Sequence, residues 1–431
     1  MRHRAQRNWR GGSRFATSSS NSSSSSWQKA EGREPASQKE TLDALLEASE
    51  RDSELDAQMG FARLTSGPPQ CGWLLNFCPT LIADAESGVP RSAVDFYLMR
   101  MDGTTFRVAV PFCPYFYLAV ADGHYKEVEL ALRRQYESLL AGVEPVEKID
   151  LAQKNHLSGT KTLYMKLVFL TVQALVHVRA QLQPIIARNT ERAQTSTTTT
   201  TSCCSSTAGR DIEDLASPAS TQATSSTPST STSPEGDGAL VHLLDMREYD
   251  VPYHIRAVID LDVRAAQWYD VSFRDGAAVL AQNEELATKR PRPRVLAFDI
   301  ETTKQPLKFP DPASDAVMMI SYMADQQGGL VVNRETVSAD TEDFEYTPRP
   351  EFPGVFRVWN EADEGALLRR FFANVRAFAP HVFVTFNGDF FDWAFVEARA
   401  RVHGLDLYAE TGVRAGAKRE YYAARHAAHI D

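Results

Sequence analysis

Between positions 61 and 120 the apolar side chains recur in short, largely alternating runs: Trp73-Leu-Leu-Asn-Phe77, Ala93-Val-Asp-Phe-Tyr-Leu98, Phe106-Arg-Val-Ala-Val110 and Tyr115-Phe-Tyr-Leu-Ala-Val120. Runs of this length, rich in β-branched and aromatic residues and punctuated by Asp102-Gly103 and Pro111, predict strands. Helical spacing predicts helices over 127–141 and 171–187. It also predicts an amphipathic helix over 41–59, where Leu42, Leu45, Leu46 and Leu55 sit among acids. A second patterned region begins at 294, with strands expected over 294–300, 316–324 and 381–385 and helices over 365–378 and 391–403. Strands interleaved with helices predict an α/β (α+β) protein with a mixed sheet.

Two stretches break the pattern. Residues 1–40 carry Arg2, Arg4, Arg7, Arg10 and Arg14 and then the serine run 18–26 with hardly any apolar periodicity, and 189–238 is a Ser/Thr/Pro insert. Neither can bury enough apolar surface to offset chain entropy, so both are expected to be disordered. The Arg-rich start lacks the amphipathic face of an organellar leader. The ordered pattern resumes at 243, so an N-terminal domain over 41–288 is expected to be discontinuous across the insert. Residues 284–293, with Lys289-Arg-Pro-Arg-Pro293, are the natural linker to a second domain over 289–431.

At 431 residues there is room for two or three cored domains, and 24% charged with 43% hydrophobic residues is ordinary for a globular chain. The longest apolar candidate for a membrane span, 164–178, is short and interrupted by Lys166, Gln173 and His177, so no membrane partner is expected. Cys71, Cys78, Cys113, Cys203 and Cys204 show no Cys-x-x-Cys spacing, which suits a reducing compartment and points away from zinc. A net charge of −10 is unusual for a nucleic-acid binder. A metal-dependent nuclease, however, must cluster carboxylates, and Lys304, Lys308, Arg399 and Arg401 lie near the acids as either a phosphate cradle or a solvated face.

The chemistry concentrates in two segments. In Phe298-Asp-Ile-Glu-Thr-Thr303, side chains two apart on a strand share a face, so Asp299 and Glu301 project together. A carboxylate from the distant Phe386-Asn-Gly-Asp-Phe-Phe-Asp-Trp393, at Asp392, would complete most of a cage for two hard divalent cations, Mg²⁺ or Mn²⁺. The implied reaction is metal-assisted phosphodiester hydrolysis. Asp389 is the competing aspartate, Asn387 a group that could orient substrate, and Phe390 or Phe391 a wedge against a terminal base or a piece of core.

Val295-Leu-Ala-Phe-Asp-Ile-Glu-Thr-Thr-Lys304 and Thr385-Phe-Asn-Gly-Asp-Phe-Phe-Asp392 resemble the first and second exonuclease motifs of family B DNA polymerases. Further segments, Asp245-Met-Arg-Glu-Tyr-Asp-Val-Pro-Tyr-His-Ile-Arg256, Pro306-Leu-Lys-Phe-Pro310 and Met318-Met-Ile-Ser-Tyr-Met323, are similar to a eukaryotic replicative branch of that family. The resemblance implies a ribonuclease H-like 3′–5′ exonuclease domain after a polymerase N-terminal domain. It selects Asp392 over Asp389, with Asp299 bridging both metals, and implies substrate contacts from Thr302, Pro310, Asn387 and Phe391. Ala394 stands where the family usually has proline. The resemblance further implies a third exonuclease motif and the polymerase palm, fingers and thumb beyond Asp431, with any iron–sulfur cluster and zinc there too. On this expectation the chain is the N-terminal part of a nuclear replication and repair enzyme that binds primer–template DNA and accessory subunits. Alone, it is expected to be inactive. A free-standing exonuclease and a non-catalytic binding scaffold are the alternatives.

Overall fold

The computed structural model describes residues 38–84, 87–150, 159–201, 238–274, 276–337, 344–346, 354–416 and 420–431. The expectations for residues 1–37 and 202–237 lie outside the described residues. Contacts divide the chain into Met1–Ala44, described only as the opening turns of a helix, and Leu45–Asp431. The helix is α1, Gln38–Gln58.

The N-terminal region continues through β1 (Gln70–Ala83), β2 (Pro90–Met99), β3 (Thr105–Pro111), β4 (Tyr115–Val120), α2 (Tyr125–Gln135), β5 (Leu140–Ile149), β6 (Lys161–Phe169), α3 (Val172–Thr201), β7 (Leu243–Arg247), α4 (Tyr253–Asp260), β8 (Trp268–Arg274) and β9 (Ala277–Gln282). One antiparallel sheet runs β3-β2-β1-β8-β9. It packs Leu74, Phe96, Leu98, Phe106 and Val108 with Ala257 and Val258 of α4. A second sheet, β5-β6-β4-β7, buries Phe116, Leu118, Met165 and Leu167 against Val128 and Leu132 of α2 and Val178 and Leu182 of α3.

Because β7 follows the insert and pairs antiparallel with β4, which precedes it, this sheet is assembled from both sides of the insert. Two expectations need correction. The helix expected over 127–141 ends at Gln135, since Leu140 onward joins a ladder with β6, and a ladder over nine residues outweighs local helix preference. The helix expected over 171–187 runs on to Thr201, into the segment read as insert. Asn189 fastens that extension, its amide donating to the carbonyls of Leu240 and Leu243 at 2.9 Å each. No helix among the described residues is long and apolar enough to cross a membrane.

The second half contains β10 (Val295–Thr302), β11 (Val317–Ala324), β12 (Gln327–Asn333), β13 (Phe344–Tyr346), β14 (Phe356–Glu361), β15 (Val382–Val384), β16 (Val413–Ala415), β17 (Tyr422–Ala424) and β18 (Ala428–Ile430). Its helices are α5 (Glu364–Phe378), α6 (Asp392–Val402) and α7 (Leu407–Thr411). Seven strands form one mixed sheet in the order β13-β14-β12-β11-β10-β15-β18. The central strand β10 is antiparallel to β11 and parallel to β15.

Helix α5 starts where the Asp363 carboxylate accepts from Ala366 N at 2.7 Å, and it stops at Ala379 in left-handed conformation. Its apolar stripe, Leu367, Leu368, Phe371, Phe372 and Val375, covers Leu296, Phe298 and Ile300 of β10. Trp393 of α6 meets Phe298 edge-on with centroids 4.6 Å apart. This core fixes β10 and the start of α6 against each other, and the candidate site grows from that junction.

Candidate active site

Alternation along β10 sends Leu296, Phe298 and Ile300 inward and leaves Asp299 and Glu301 exposed on the other side. Asp392 arrives as the first residue of α6 and is only 2% exposed. Its Oδ1 accepts from Ile300 N at 3.1 Å, a side-chain bond from the helix start to the backbone between the two strand acids. Burial pushes the Asp392 carboxyl up to about 6, and the neighbouring Asp299 carboxylate adds to the rise through its charge and a shared hydrogen bond. Two carboxylates in hydrogen-bond contact repel unless a proton or a cation lies between them.

An all-oxygen donor set of this kind fits a hard divalent cation. Glu301 sits on the same face, yet the donor atoms of Asp299, Glu301 and Asp392 are not all drawn within 4.8 Å of one another. Among the described residues the three-donor cluster that does meet that distance is His124, Glu127 and His242 in the N-terminal region. There the two imidazoles stack 3.4 Å apart at 8°, and His124 Nδ1 lies 3.1 Å from Glu127 Oε2.

The loop before α6 is tightly built. Asn387 adopts φ +60°, and a Cβ on Gly388 would lie 2.5 Å from the Thr385 side chain, so this turn needs a glycine there. The Asn387 and Gly388 carbonyls accept from Phe391 N (3.1 Å) and Trp393 N (2.9 Å), which caps the helix start through backbone alone. Asp389 serves a different end, since its Oδ1 accepts from Tyr422 N at 2.7 Å and ties the loop to β17.

The rim is apolar and exposed. Phe386 is 93%, Phe390 73% and Phe309 78% exposed, and Leu307 is fully exposed. Phe391 is half-buried, packed on the core and met edge-on by Phe309 at 5.4 Å. Pro310, beside Phe309, and Thr302, just past a bulge in β10, are both half-buried. Asn387 is exposed on the turn.

The basic residues, read from the sequence as either a phosphate cradle or a solvated face, divide among themselves. Arg399 donates from Nε to the buried Glu364 at 2.9 Å and from Nη1 to Pro312 O at 3.0 Å, and Arg401 pairs with Glu397 on its own helix. Arg399 is held inside the fold, while Arg401, Lys304 and Lys308 are exposed. Phe386, Phe309, Leu307 and Asp431 were not singled out from the sequence. Asp431 Oδ1 accepts from Thr385 Oγ1 and Gly388 N, both at 2.7 Å. The signal available for the rings was their place beside Asn387-Gly388 and Pro310 in polar turns.

The family model for the DNA polymerase family B exonuclease domain matches residues 244–422. Over 384 residues the chain is 42% identical to a DNA polymerase epsilon catalytic subunit of Schizosaccharomyces pombe, covering 88% of this chain and 16% of that protein. Over 380 residues it is 41% identical to a DNA polymerase epsilon catalytic subunit of Arabidopsis thaliana, again covering 88% and 16%. The chain spans about a sixth of the length of these curated relatives. It also matches the solved family B DNA polymerase of the archaeon Pyrobaculum calidifontis with a TM-score of 0.51 over 84% of this chain and 36% of that one, at 19% identity, a likeness of fold. A family B exonuclease domain implies dependence on divalent metal in general. With the two exonuclease motifs meeting at β10 and α6 and with relatives at this level of identity, the chain belongs to the family B DNA polymerases, among which it is similar to the catalytic subunits of DNA polymerase epsilon.

Proposed function

We propose that this chain carries the 3′–5′ proofreading site of a DNA polymerase epsilon catalytic subunit, and that the whole protein is a DNA-directed DNA polymerase of nuclear replication and repair, working with accessory subunits. The observation that carries the reading is the buried Asp392 carboxyl, pinned by Ile300 N against the exposed Asp299 of the central strand. Asp299, Glu301 and Asp392 would hold two divalent ions, Mg²⁺ or Mn²⁺. When bound, such ions supply an activated water and stabilise charge on the leaving 3′ oxygen.

The chain's own residues do the rest. Burial and the Ile300 bond fix Asp392, so its negative charge is preorganised instead of being gathered on binding. Phe386, Phe390 and Phe309 offer exposed ring faces on which unpaired bases can stack, a sequence-tolerant grip suited to a frayed primer end. Asn387, held at positive φ on the turn, and Thr302, at the end of β10, would meet the sugar–phosphate chain. Pro310 stiffens the segment that carries Phe309. Phe391, half-buried against Phe395, supports the rim from beneath.

The test is mismatch excision and single-stranded 3′-end digestion with Mg²⁺ by the full-length polymerase, comparing the parent with Asp299→Ala and Asp392→Ala. Both variants are expected to lose excision by roughly a thousandfold while polymerisation persists. Excision retained in both variants would refute the reading.

A further inference from the structure

We propose that Asp431 is a positioning residue for the hydrolysis, closing the 385–389 turn and thereby holding Asp392 at the metal face. This rests on the nuclease reading above. The turn combines a left-handed Asn387 with a glycine that has no room for a side chain, and the N-cap residue of α6 makes no side-chain capping bond. A turn of that kind keeps its shape only if something outside it holds it.

Asp431 supplies the hold. One carboxylate oxygen takes both the Thr385 hydroxyl and Gly388 N at 2.7 Å, and the other faces Asp389 N at 3.4 Å. Successive backbone N–H groups aimed at one carboxylate form a small anion-binding nest. Thr385 N also donates to Ile430 O at 2.9 Å. The turn's own carbonyls then receive Phe391 N and Trp393 N, so the shape of the turn sets where α6 begins, and its first residue is Asp392.

The segment that delivers Asp431 is itself anchored. β18 pairs in parallel with β15, Val382 opposite Ala428 and Val384 opposite Ile430. Upstream, the Asn76 amide donates to the carbonyls of Ala424, Arg425 and Ala427 at 3.3, 3.0 and 3.2 Å. The Arg425 guanidinium, nearly buried, reaches Asp95 at 2.9 Å, Asp56 at 3.3 Å and Pro79 O at 3.2 Å. Residues 424–431 therefore act as a strap, fixed to the N-terminal sheet at one end and to the turn at the other.

The experiment uses the full-length polymerase with Asp431→Leu, Asp431→Asn, Thr385→Val and the Asp299→Ala control. Each is assayed for kcat and KM of single-stranded 3′-end excision, for the Mg²⁺ concentration giving half-maximal rate, and for primer extension. Asp431→Leu is expected to lower kcat by about 10²-fold, the usual consequence of a misplacement near 1 Å, and to raise the Mg²⁺ requirement with primer extension unchanged. Thr385→Val should show a smaller loss of the same kind. Asp431→Asn keeps the acceptor that serves Thr385 and Gly388, so it should stay within about threefold of the parent.

Parent-like excision in Asp431→Leu, with Asp299→Ala inactive, would overturn the positioning role. So would Asp431→Asn as damaged as Asp431→Leu, because charge rather than the acceptor would then be what matters. Excision surviving in Asp299→Ala would instead bring down the nuclease reading.

Discussion

Replacing Arg425 by methionine tests how the buried charges that anchor the 424–431 strap are balanced. Four cations, Arg63, Arg107, Arg414 and Arg425, face three anions, Asp52, Asp56 and Asp95, in one group whose centre is buried. Without Arg425, Asp95 keeps Arg107 at 2.9 Å and Arg63 at 3.1 Å. Asp56 keeps the Tyr97 hydroxyl at 2.7 Å and Arg107 at 3.7 Å, so the uncompensated charge falls mainly on it. Burial already pushes Asp56 above the ordinary aspartate value against the pull of Arg425.

Breaking a buried pair from one side costs about 3–5 kcal/mol. An escape route caps that cost, because Asp56 can take up a proton, which for an ordinary aspartate at pH 7 requires about 4 kcal/mol. The expected loss at pH 7 is therefore about 3–4 kcal/mol. The sign with pH follows: in the variant the folded-state Asp56 binds its proton more tightly than the unfolded one, so its contribution is present at low pH and lost as pH rises. At pH 5 the cap falls to about 1.5 kcal/mol. Thermal unfolding of parent and Arg425→Met at both pH values is the assay, with a melting-temperature drop on the order of 10 °C at pH 7 and less than half of that at pH 5. Asp56→Asn placed on Arg425→Met should recover part of the loss. A drop at pH 7 below that of a typical surface substitution, or an equal drop at both pH values, would refute the reasoning.

Three further outcomes are expected. Gly388→Ala sets a Cβ 2.5 Å from the Thr385 side chain, so excision should fall at least tenfold with polymerisation spared, and an unaltered excision rate would show that the turn yields freely. Asp389→Asn should excise nearly as the parent, since its Oδ1 acceptor for Tyr422 N is kept, whereas Asp392→Asn should be inactive; the reverse order in single-turnover excision would reassign the metal face. Because the metal-free Asp392 carboxyl sits at about 6, its proton competes with a cation, and Mg²⁺ should raise the melting temperature more at pH 7.5 than at pH 5. An Mg²⁺ effect equal at the two pH values would count against Asp392 as a ligand.

Several features were legible because their causes are local. The alternation Leu296, Phe298, Ile300 against Asp299, Glu301 assigns each side chain of β10 to a face from strand geometry alone, and α5 carries its cap at Asp363 and its apolar stripe in sequence. The two motif segments likewise pointed to paired carboxylates and a family. Local preference misled at residues 136–141, where a helical pattern gives way to the approach and start of β5, and at 189–201, where a threonine-rich run stays helical behind an anchored Asn189.

What the sequence by itself determined is the chemistry on offer: two acids on one strand face, a second acidic segment on a glycine turn, and an insert with almost no large apolar residues. The resemblance favoured Asp392 over Asp389, and only the tertiary structure shows what each of the two bonds to. Asp389 and Asp392 are three apart in one motif, yet one bonds to β17 and the other to the backbone of β10. Nor could three-residue β18 be read from its own pattern, because it exists through parallel pairing with a strand 46 residues earlier. Arg425 and Arg399 look like solvated cations in sequence and are in fact ion-paired anchors at low exposure. The physical reason is common to all of these: pairing and charge burial are settled by partners far away along the chain, and a residue's own neighbours carry no record of whether it will meet water or a counter-charge.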